Sequence, residues 1–212
     1  MPESEASTQS TGSQSKSGTF TPKSEKKGIE INICQVSWFD PAQTRKIANA
    51  PARTASLTFS GDDLNYLARV LYAECSGSQS LPDANDRKTE KEALINVFYF
   101  RLNRKGYPSN AYIATTFTMV CNAPNQFQSV MPTPAPKLIK SASGAYKHMN
   151  KMECGDLQES LDAIRSFLDA GPNSKYVYDN FRAGSSGTAG TRIGGSRFWL
   201  SRTGKELAHA NP

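Results

Sequence analysis

One amphipathic stretch constrains the fold of this chain more than any other, namely residues 60 to 75, SGDDLNYLARVLYAEC. Ser60 has the side chain of a helix N-cap, and two acids follow in the first turn, where the helix dipole favours negative charge. Apolar side chains then recur at the spacing of one helix face. They are Leu64, Leu67 and Leu71. The pattern predicts a helix that packs a leucine face against the core of the domain.

Glu74 lies on the same face, after the last of these leucines. Burial beside apolar side chains disfavours the charged form of a carboxyl group. A carboxyl group that keeps its proton near neutral pH can act as a general acid and protonate a leaving oxygen. The alternative is that Glu74 lies one turn beyond the packed leucines and points into water. Periodicity leaves both interpretations open.

The 212 residues divide into a polar beginning and a longer part with regular apolar spacing. Residues 1–27 hold Ser, Thr, Gln, Lys and Glu with almost nothing to bury, which predicts a disordered tail. Residues 28–58 are interpreted as an arm and connector, because an alternating segment, IEINICQVSWF, is followed by prolines. Residues 59–212 have the length of one folded domain.

Further capping boxes predict more helices in that domain. One begins at Thr89 with Glu92, and another begins at Asp156 with Glu159. A helix is also predicted over residues 138–152, and SRFWLS near the end predicts a short strand. The expected fold class is therefore mainly α, a helical domain with a few short strands.

Three residues of the Thr89 helix share a polar-tipped face. They are Asn96, Tyr99 and Asn103. Amide and phenol groups at this spacing can bind a polar substrate, and a solvated helix face is the alternative.

The formal net charge of +6 suits a polyanionic partner such as nucleic acid, an acidic membrane surface or bacterial cell wall. No apolar run reaches the roughly 18 residues that a membrane span requires. The four cysteines are far apart and form no CxxC pair: Cys34, Cys75, Cys121 and Cys154. This spacing argues against a zinc site, and no metal or cofactor is expected. Three complete disulfide pairings stay open, as do four buried thiols.

Short motifs occur in a fixed order along the chain. The first helix ends in Tyr-Ala-Glu at Glu74, and the Thr89 helix ends in Leu-Asn-Arg at Arg104. Tyr-Pro and Gln-Phe pairs follow, and an Ile-Gly pair precedes Phe-Trp near the end. In order and spacing these motifs resemble the SleB-type cell-wall hydrolases, the spore-cortex-lytic family. The resemblance covers roughly residues 62 to 200.

The resemblance implies a lysozyme-like α+β fold over residues 59–212. It also implies cleavage of the β-1,4 bond between N-acetylmuramic acid and N-acetylglucosamine in peptidoglycan, by a muramidase or a lytic transglycosylase. The family's catalytic acid falls on Glu74, and its Gln-Phe element falls on Gln126 and Phe127. Members of the family resemble lytic transglycosylases, which need no metal.

The family's Asn-Arg pair falls on Asn103 and Arg104, and Asn96 is the alternative for the asparagine role. Neutral donors such as Gln126, Asn103 and Tyr178 would hold the N-acetyl group of the substrate. The chain departs from the family at Ser78, where the usual motif has a second glutamate.

Glycoside hydrolysis by water needs a second carboxylate. No second acid lies on an apolar face, and four acids lie near the motifs: Asp83, Asp86, Glu90 and Asp179. A transglycosylase needs no second carboxylate, because the 6-hydroxyl of the sugar attacks the anomeric carbon. Glu74 would then act first as the acid and later as the base.

The N-terminal sequence, MPESEASTQS, has no apolar core and does not have the pattern of a Sec signal peptide. A wall substrate lies outside the cytoplasm, so the expected place of action is the periplasm or cell wall, after export by a specialised route or carriage in a phage particle. A signal peptide cleaved from a longer precursor is the alternative. The expected partner is the peptidoglycan glycan strand. Delivery as an antibacterial effector would add a secretion machine and an immunity protein. No nucleic-acid partner is expected.

Two other classes of function stay open. A cysteine-dependent cell-wall peptidase or amidase would pair Cys75 or Cys121 with His148 or His209. A non-catalytic module that binds glycan or nucleic acid would use the basic charge, although no basic run is interleaved with aromatic residues.

Overall fold

A computed structural model describes residues 21–25, 29–124, 126–130, 149–184 and 190–200 of the chain. The described part is a mixed α+β fold. Its helices are α1 Gly61–Glu74, α2 Ala84–Arg101, α3 Phe117–Cys121 and α4 Lys151–Ala170. Its strands are β1 Thr21–Glu25, β2 Ile29–Ile33, β3 Thr44–Arg45, β4 Phe59–Ser60, β5 Pro108–Ser109, β6 Tyr112–Ile113, β7 Asn180–Ala183, β8 Thr191–Ile193 and β9 Ser196–Trp199. None of the described helices is long and apolar enough to cross a lipid bilayer.

The strands form three antiparallel pairs and one three-stranded sheet. The pairs join consecutive strands, β1 to β2, β3 to β4 and β5 to β6. In the three-stranded sheet β9 lies between β7 and β8, and Phe181 is opposite Phe198. This sheet contacts α2, so the end of the described chain returns to the helical core.

The predicted leucine face of α1 is confirmed. Leu64, Leu67 and Leu71 have no exposed surface and belong to the main core cluster. The hydroxyl of Ser60 accepts a hydrogen bond from the backbone N–H of Asp63 at 3.2 Å, as the predicted N-cap requires. α4 packs against both α1 and α2, so the three long helices enclose one core.

Helix α2 begins six residues earlier than the sequence predicts, with its cap at Asp83 rather than Thr89. Asp83 is the N-cap and accepts hydrogen bonds from the backbone N–H groups of Asn85 and Asp86. Thr89 lies inside the helix, where its hydroxyl donates to the carbonyl oxygen of Asn85. Both residues are able to cap a helix. The added residues place Arg87 against Glu159 of α4.

Helix α4 also begins earlier than predicted, at Lys151. Asn150 and Glu153 form the capping box, and Asp156 lies within the helix. The sequence contains two capping patterns six residues apart, and local propensity does not choose between them. The predicted helix over 138–152 lies mostly outside the described residues, and its last two positions belong to α4.

The N-terminal arm differs from the sequence prediction at Thr21–Glu25. These residues form an antiparallel strand with Ile29–Ile33, whereas the prediction placed them in the disordered tail. The hydrogen bonds of a strand pair involve the backbone, so they do not require the apolar side chains that this segment lacks. Residues 1–20 of the predicted tail lie outside the described part. A disulfide between Cys34 and Cys154 joins the arm to α4.

An ion-pair cluster joins α2 to α4. Arg87 Nη2 lies 2.6 Å from Glu159 Oε1, and Lys91 Nζ lies 3.1 Å from Glu159 Oε2. The two cations are buried, whereas about a third of the Glu159 side chain is exposed. Burial raises the pKa of Glu159, but the hydrogen bonds and charges of Arg87 and Lys91 outweigh it and hold the pKa below its ordinary value.

We expect Glu159 to contribute to the loss of stability at acid pH. A carboxyl group with a lowered pKa in the folded state stabilises the fold above its unfolded pKa of about 4.3, and this contribution is lost as the pH falls through the folded value. Glu159→Gln should therefore flatten the dependence of the unfolding free energy on pH below about 4.3, measured by urea denaturation. Asp169→Asn is the matched control, because its pair with Arg45 is exposed. Equal slopes for Glu159→Gln and the unaltered chain would contradict the prediction.

Candidate active site

Glu74 is the last residue of α1, and its side chain is half-buried. Two hydrogen bonds hold its carboxyl group: the backbone N–H of Ser129 donates to Oε1 at 3.0 Å, and the hydroxyl of Ser129 donates to the same oxygen at 2.5 Å. Glu74 therefore has a fixed orientation. Because both donors meet Oε1, an acid proton on this carboxyl group belongs on Oε2.

Ser129 lies in a single 3-10 turn, Gln128–Val130, that contacts α1. Phe127 anchors this turn in the core. Its side chain is 2% exposed, and its ring lies 4.9 Å from that of Phe98 and 5.9 Å from that of Phe181. The Gln-Phe motif thus reaches the site by fixing the backbone that carries Ser129. The burial of Phe127 contradicts its predicted contact with substrate.

Two carboxylates from other helices hold the loop that follows Glu74. Glu90 of α2 has no exposed surface, and it accepts hydrogen bonds from the backbone N–H of Ser76 at 3.2 Å and from its hydroxyl at 3.3 Å. Asp156 of α4 accepts the backbone N–H of Ser78 with its two oxygens at 2.9 and 3.0 Å. These bonds fix the chain where it leaves α1, so Glu74 is anchored from the far side as well.

The turn between β8 and β9 packs on Glu90. The hydroxyl of Ser196 donates to Glu90 Oε1 at 2.5 Å. A Cβ atom at Gly195 would lie 1.9 Å from the hydroxyl oxygen of Ser76, and one at Gly194, where φ is +58°, would lie 2.8 Å from the Cβ atom of Glu90. The positive φ and the nearby backbone of Asp86 favour glycine at position 194. Glu90 therefore connects the turn after the Ile-Gly motif to the loop after the Tyr-Ala-Glu motif, because it binds both Ser196 and Ser76.

Asn96 and Tyr99 lie in the interior, at 2% and 1% exposure. Asn96 Oδ1 accepts the backbone N–H of Asn173 at 2.9 Å, and the hydroxyl of Tyr99 shares a hydrogen bond of 2.7 Å with Thr54. The chain around Thr54 and the chain around Asn173 therefore cover the polar face of α2. Burial contradicts the predicted contact of Asn96 and Tyr99 with substrate, and their polar atoms have structural partners instead.

Asn103 follows α2 with a φ of +50°, a left-handed conformation that asparagine tolerates better than most residues. Its side-chain Nδ2 donates to the carbonyl oxygen of Arg53 at 2.7 Å. This bond ties the end of α2 to the segment before β4. Asn103 is only partly buried, and its predicted role in binding substrate stays a prediction.

Gln126 and Tyr178 keep exposed surface that a substrate can reach. Gln126 is exposed beside the turn that carries Ser129, and it lines a cavity at the end of α2. Tyr178 is half-buried, and its ring lies 5.9 Å from that of Phe198. The predicted binding roles of these two residues stay predictions.

The four acids near the motifs do not pair with Glu74. Asp83 caps α2, and Asp86 is exposed in its first turn. Glu90 is enclosed, and Asp179, at 3% exposure, lies 3.6 Å from Arg104. Three of the four acids are thus engaged in structural contacts.

The cysteines also have structural settings. Cys34 and Cys154 are joined, and Cys75 and Cys121 are free but buried. Burial and then the nearby Asp63 carboxylate raise the pKa of the Cys121 thiol well above its ordinary value, so it stays protonated and a poor nucleophile. This argues against a cysteine-dependent peptidase. His148 and His209 lie outside the described residues.

Sequence reasoning did not assign roles to Ser129, Glu90 or Asp156 in the setting of Glu74. Glu90 precedes Leu94 and Val97 by four and seven residues, so it falls on the buried face of α2, and this signal was present in the sequence. Ser129 and Asp156 have no comparable signal, because their contacts depend on how distant segments pack.

Comparison with known proteins finds no family model that matches the chain, and no curated protein or solved structure matches it either. Among the described residues, no three His, Cys, Asp or Glu side chains are grouped so that they could hold a metal ion. The geometry around Glu74 and the motifs of the sequence are therefore the indications of function.

Proposed function

We propose that this protein cleaves the glycan strands of peptidoglycan between N-acetylmuramic acid and N-acetylglucosamine, with Glu74 as general acid and base. The observation that carries the proposal is the half-buried carboxyl group at the end of α1, with Oε1 held by both donors of Ser129. Proton transfer requires such a fixed orientation and partial removal from water. The mixed α+β fold, with this acid at the end of a core helix, supports a lysozyme-like architecture.

In the proposed reaction, Oε2 of Glu74 donates its proton to the glycosidic oxygen as the bond from that oxygen to the anomeric carbon of muramic acid breaks. The carboxylate that results is stabilised by the two hydrogen bonds from Ser129. Glu74 then takes the proton of the 6-hydroxyl of the same sugar, whose oxygen forms the new bond to the anomeric carbon. Glu74 regains its proton, and no water is consumed.

Transglycosylation is the better supported of the two routes. Hydrolysis needs a second carboxylate to act as nucleophile or to activate water. The acids nearest to the motifs have structural contacts or lie exposed in the first turn of α2. A reaction in which the substrate supplies its own nucleophile needs only Glu74.

The Cys34–Cys154 disulfide supports action outside the reducing cytoplasm, because disulfides persist in oxidising compartments such as the periplasm. A wall substrate lies in the same place. Delivery out of the producing cell, with an immunity protein in that cell, is part of the same proposal.

We expect the purified chain to release fragments from isolated glycan strands, with 1,6-anhydro-muramic ends detected by mass spectrometry. Fragments with reducing ends would show that water is the nucleophile and that a second carboxylate takes part. Intact strands after prolonged incubation would contradict the proposed function. A muramidase that leaves reducing ends and a lytic transglycosylase, each acting on the same strands, are the controls for the two kinds of product.

A further inference from the structure

A second concave site lies at the end of α2, beside the segment that carries Ser129. The cavity has a volume of about 160 Å³. Because one buried water needs only about 10 to 15 Å³ of space accessible to a water-sized sphere, this cavity has room for a small charged group rather than a single water. Its walls include Arg101, Arg104, Lys105, Tyr107, Gln126 and Asp179.

The charge of these walls is positive. Arg101, Arg104 and Lys105 supply three cations, and Asp179 supplies one carboxylate. The C-terminal end of α2 offsets only about half a charge. The cavity therefore attracts an anion, and its partly enclosed position weakens screening by water.

The cationic walls are held in place before any ligand arrives. Arg101, at 4% exposure, donates from Nε and Nη2 to the carbonyl oxygen of Asp179 at 3.1 and 2.9 Å. Arg104, at 7% exposure, lies 3.6 Å from the Asp179 carboxylate. Lys105 is exposed at the rim, where it can turn toward a ligand. Such preorganised positive charge suits a carboxylate, which arginine and lysine bind through charge-assisted hydrogen bonds.

The cavity and Glu74 flank the same short segment of chain. Gln126 lines the cavity, and Ser129, three residues later, donates to Glu74. Consecutive Cα atoms are about 3.8 Å apart, so the Cα atoms of these two residues are at most about 11 Å apart. Between these two residues in the chain, the ring centre of Phe127 lies 5.4 Å from the guanidinium of Arg101, a cavity residue. The cavity and Glu74 therefore lie within the length of a few sugar units of each other.

We propose that this cavity binds a carboxylate carried on the lactyl arm of muramic acid, an inference that rests on the proposed function. In intact peptidoglycan the arm carries a stem peptide with carboxylates, and without its peptide the arm ends in a carboxylate of its own. A polymer of N-acetylglucosamine alone has neither group. The cavity therefore selects peptidoglycan over a neutral glycan that has the same β-1,4 bond.

The test is binding by the full chain carrying Glu74→Gln, which prevents turnover, with and without Lys105→Glu. Three tetrasaccharides are compared by calorimetry: alternating strands with stem peptides, the same strands after an amidase has removed the peptides, and chitotetraose. Lys46→Glu is the matched control, because Lys46 is exposed and does not line the cavity.

Lys105→Glu is expected to raise the Kd of the carboxylate ligands about tenfold at low salt and to leave that of chitotetraose unchanged. Weaker binding of the peptide-bearing strand alone identifies the stem peptide as the source of the carboxylate. Weaker binding of the amidase-treated strand alone identifies the lactyl carboxylate, and weaker binding of both means that the cavity accepts either. An equal loss for chitotetraose, an equal loss in Lys46→Glu, no effect of Lys105→Glu, or no binding of any ligand would overturn the assignment.

Cleavage of the peptide-bearing strands by the unaltered chain is measured alongside binding, so that the two proposals can fail separately. Cleavage without dependence on Lys105 keeps the proposed function and removes the carboxylate site. Binding that depends on Lys105, without cleavage by the unaltered chain, keeps the site and removes the proposed function.

Discussion

Glu74→Gln is expected to remove nearly all cleavage of glycan strands while the chain still folds. Glutamine keeps an oxygen that can accept both hydrogen bonds from Ser129, but it has no acid proton to donate. Proton transfer by a placed acid contributes about 10²- to 10⁴-fold to the rate, so kcat should fall by at least that lower factor. The rate is measured as release of soluble fragments from purified strands.

Glu92→Gln is the matched control for this substitution. It makes the same chemical change on a partly exposed side chain whose ion pair with Lys88, at 4.0 Å, lies on the surface of α2. The control should keep the activity of the unaltered chain. Circular dichroism and Tm should be alike for both variants. Full cleavage by Glu74→Gln would show that both the site and the proposed function are wrong.

Replacing Cys34 and Cys154 with serine is expected to lower the free energy of unfolding by about 4 kcal/mol. The bond closes a sequence separation of 120 residues, and the loop entropy that it removes from the unfolded chain grows with loop length. For a chain of this size, the change corresponds to a fall in Tm of about 8 to 16 °C. Thermal unfolding followed by circular dichroism measures it.

The disulfide also holds the arm between two core helices. The backbone N–H of Ser37 donates to the side chain of Gln158 in α4 at 2.9 Å. Two residues later, the N–H and C=O groups of Phe39 bond to the side-chain amide of Asn65 in α1, each at 2.9 Å. Loss of the covalent bond should therefore loosen the contact of the arm with α4 before its contact with α1.

A reducing agent provides the control for the double variant. It should lower the Tm of the unaltered chain by the same amount and leave the double variant unchanged. The unfolded chain should react with a maleimide at two thiols before reduction, since Cys75 and Cys121 are free, and at four afterwards. Four reactive thiols before reduction would contradict the prediction.

The agreement between the predicted and observed α1 shows what local sequence can determine. Its N-cap, its leucine face and its last residue follow from positions fewer than fifteen residues apart, and all three agree with the structure. Capping and amphipathic spacing are local properties of the chain, so they can be read before the fold is known.

The starts of α2 and α4 show where local sequence is insufficient. In each case two cap-competent residues compete: Asp83 with Thr89, and Asn150 with Asp156. In each helix, the residue that comes earlier in the chain is the cap. In α2 the six added residues place Arg87 against Glu159, and in α4 Asp156 is left free to bind the loop after Glu74. These contacts join segments more than seventy residues apart, so the helix propensity of the local sequence cannot predict them.

For the candidate site, the sequence by itself determined the helix of α1, the position of Glu74 at the end of that helix and the order of the motifs. The tertiary structure decided what surrounds that carboxyl group. Ser129 arrives from 55 residues away, and Asp156 holds Ser78 from 78 residues away. The same packing moved Phe127 from a predicted substrate contact into the core. The physical reason is that a helix and its cap depend on neighbours along the chain, whereas the donors that orient a carboxyl group come from wherever packing brings them.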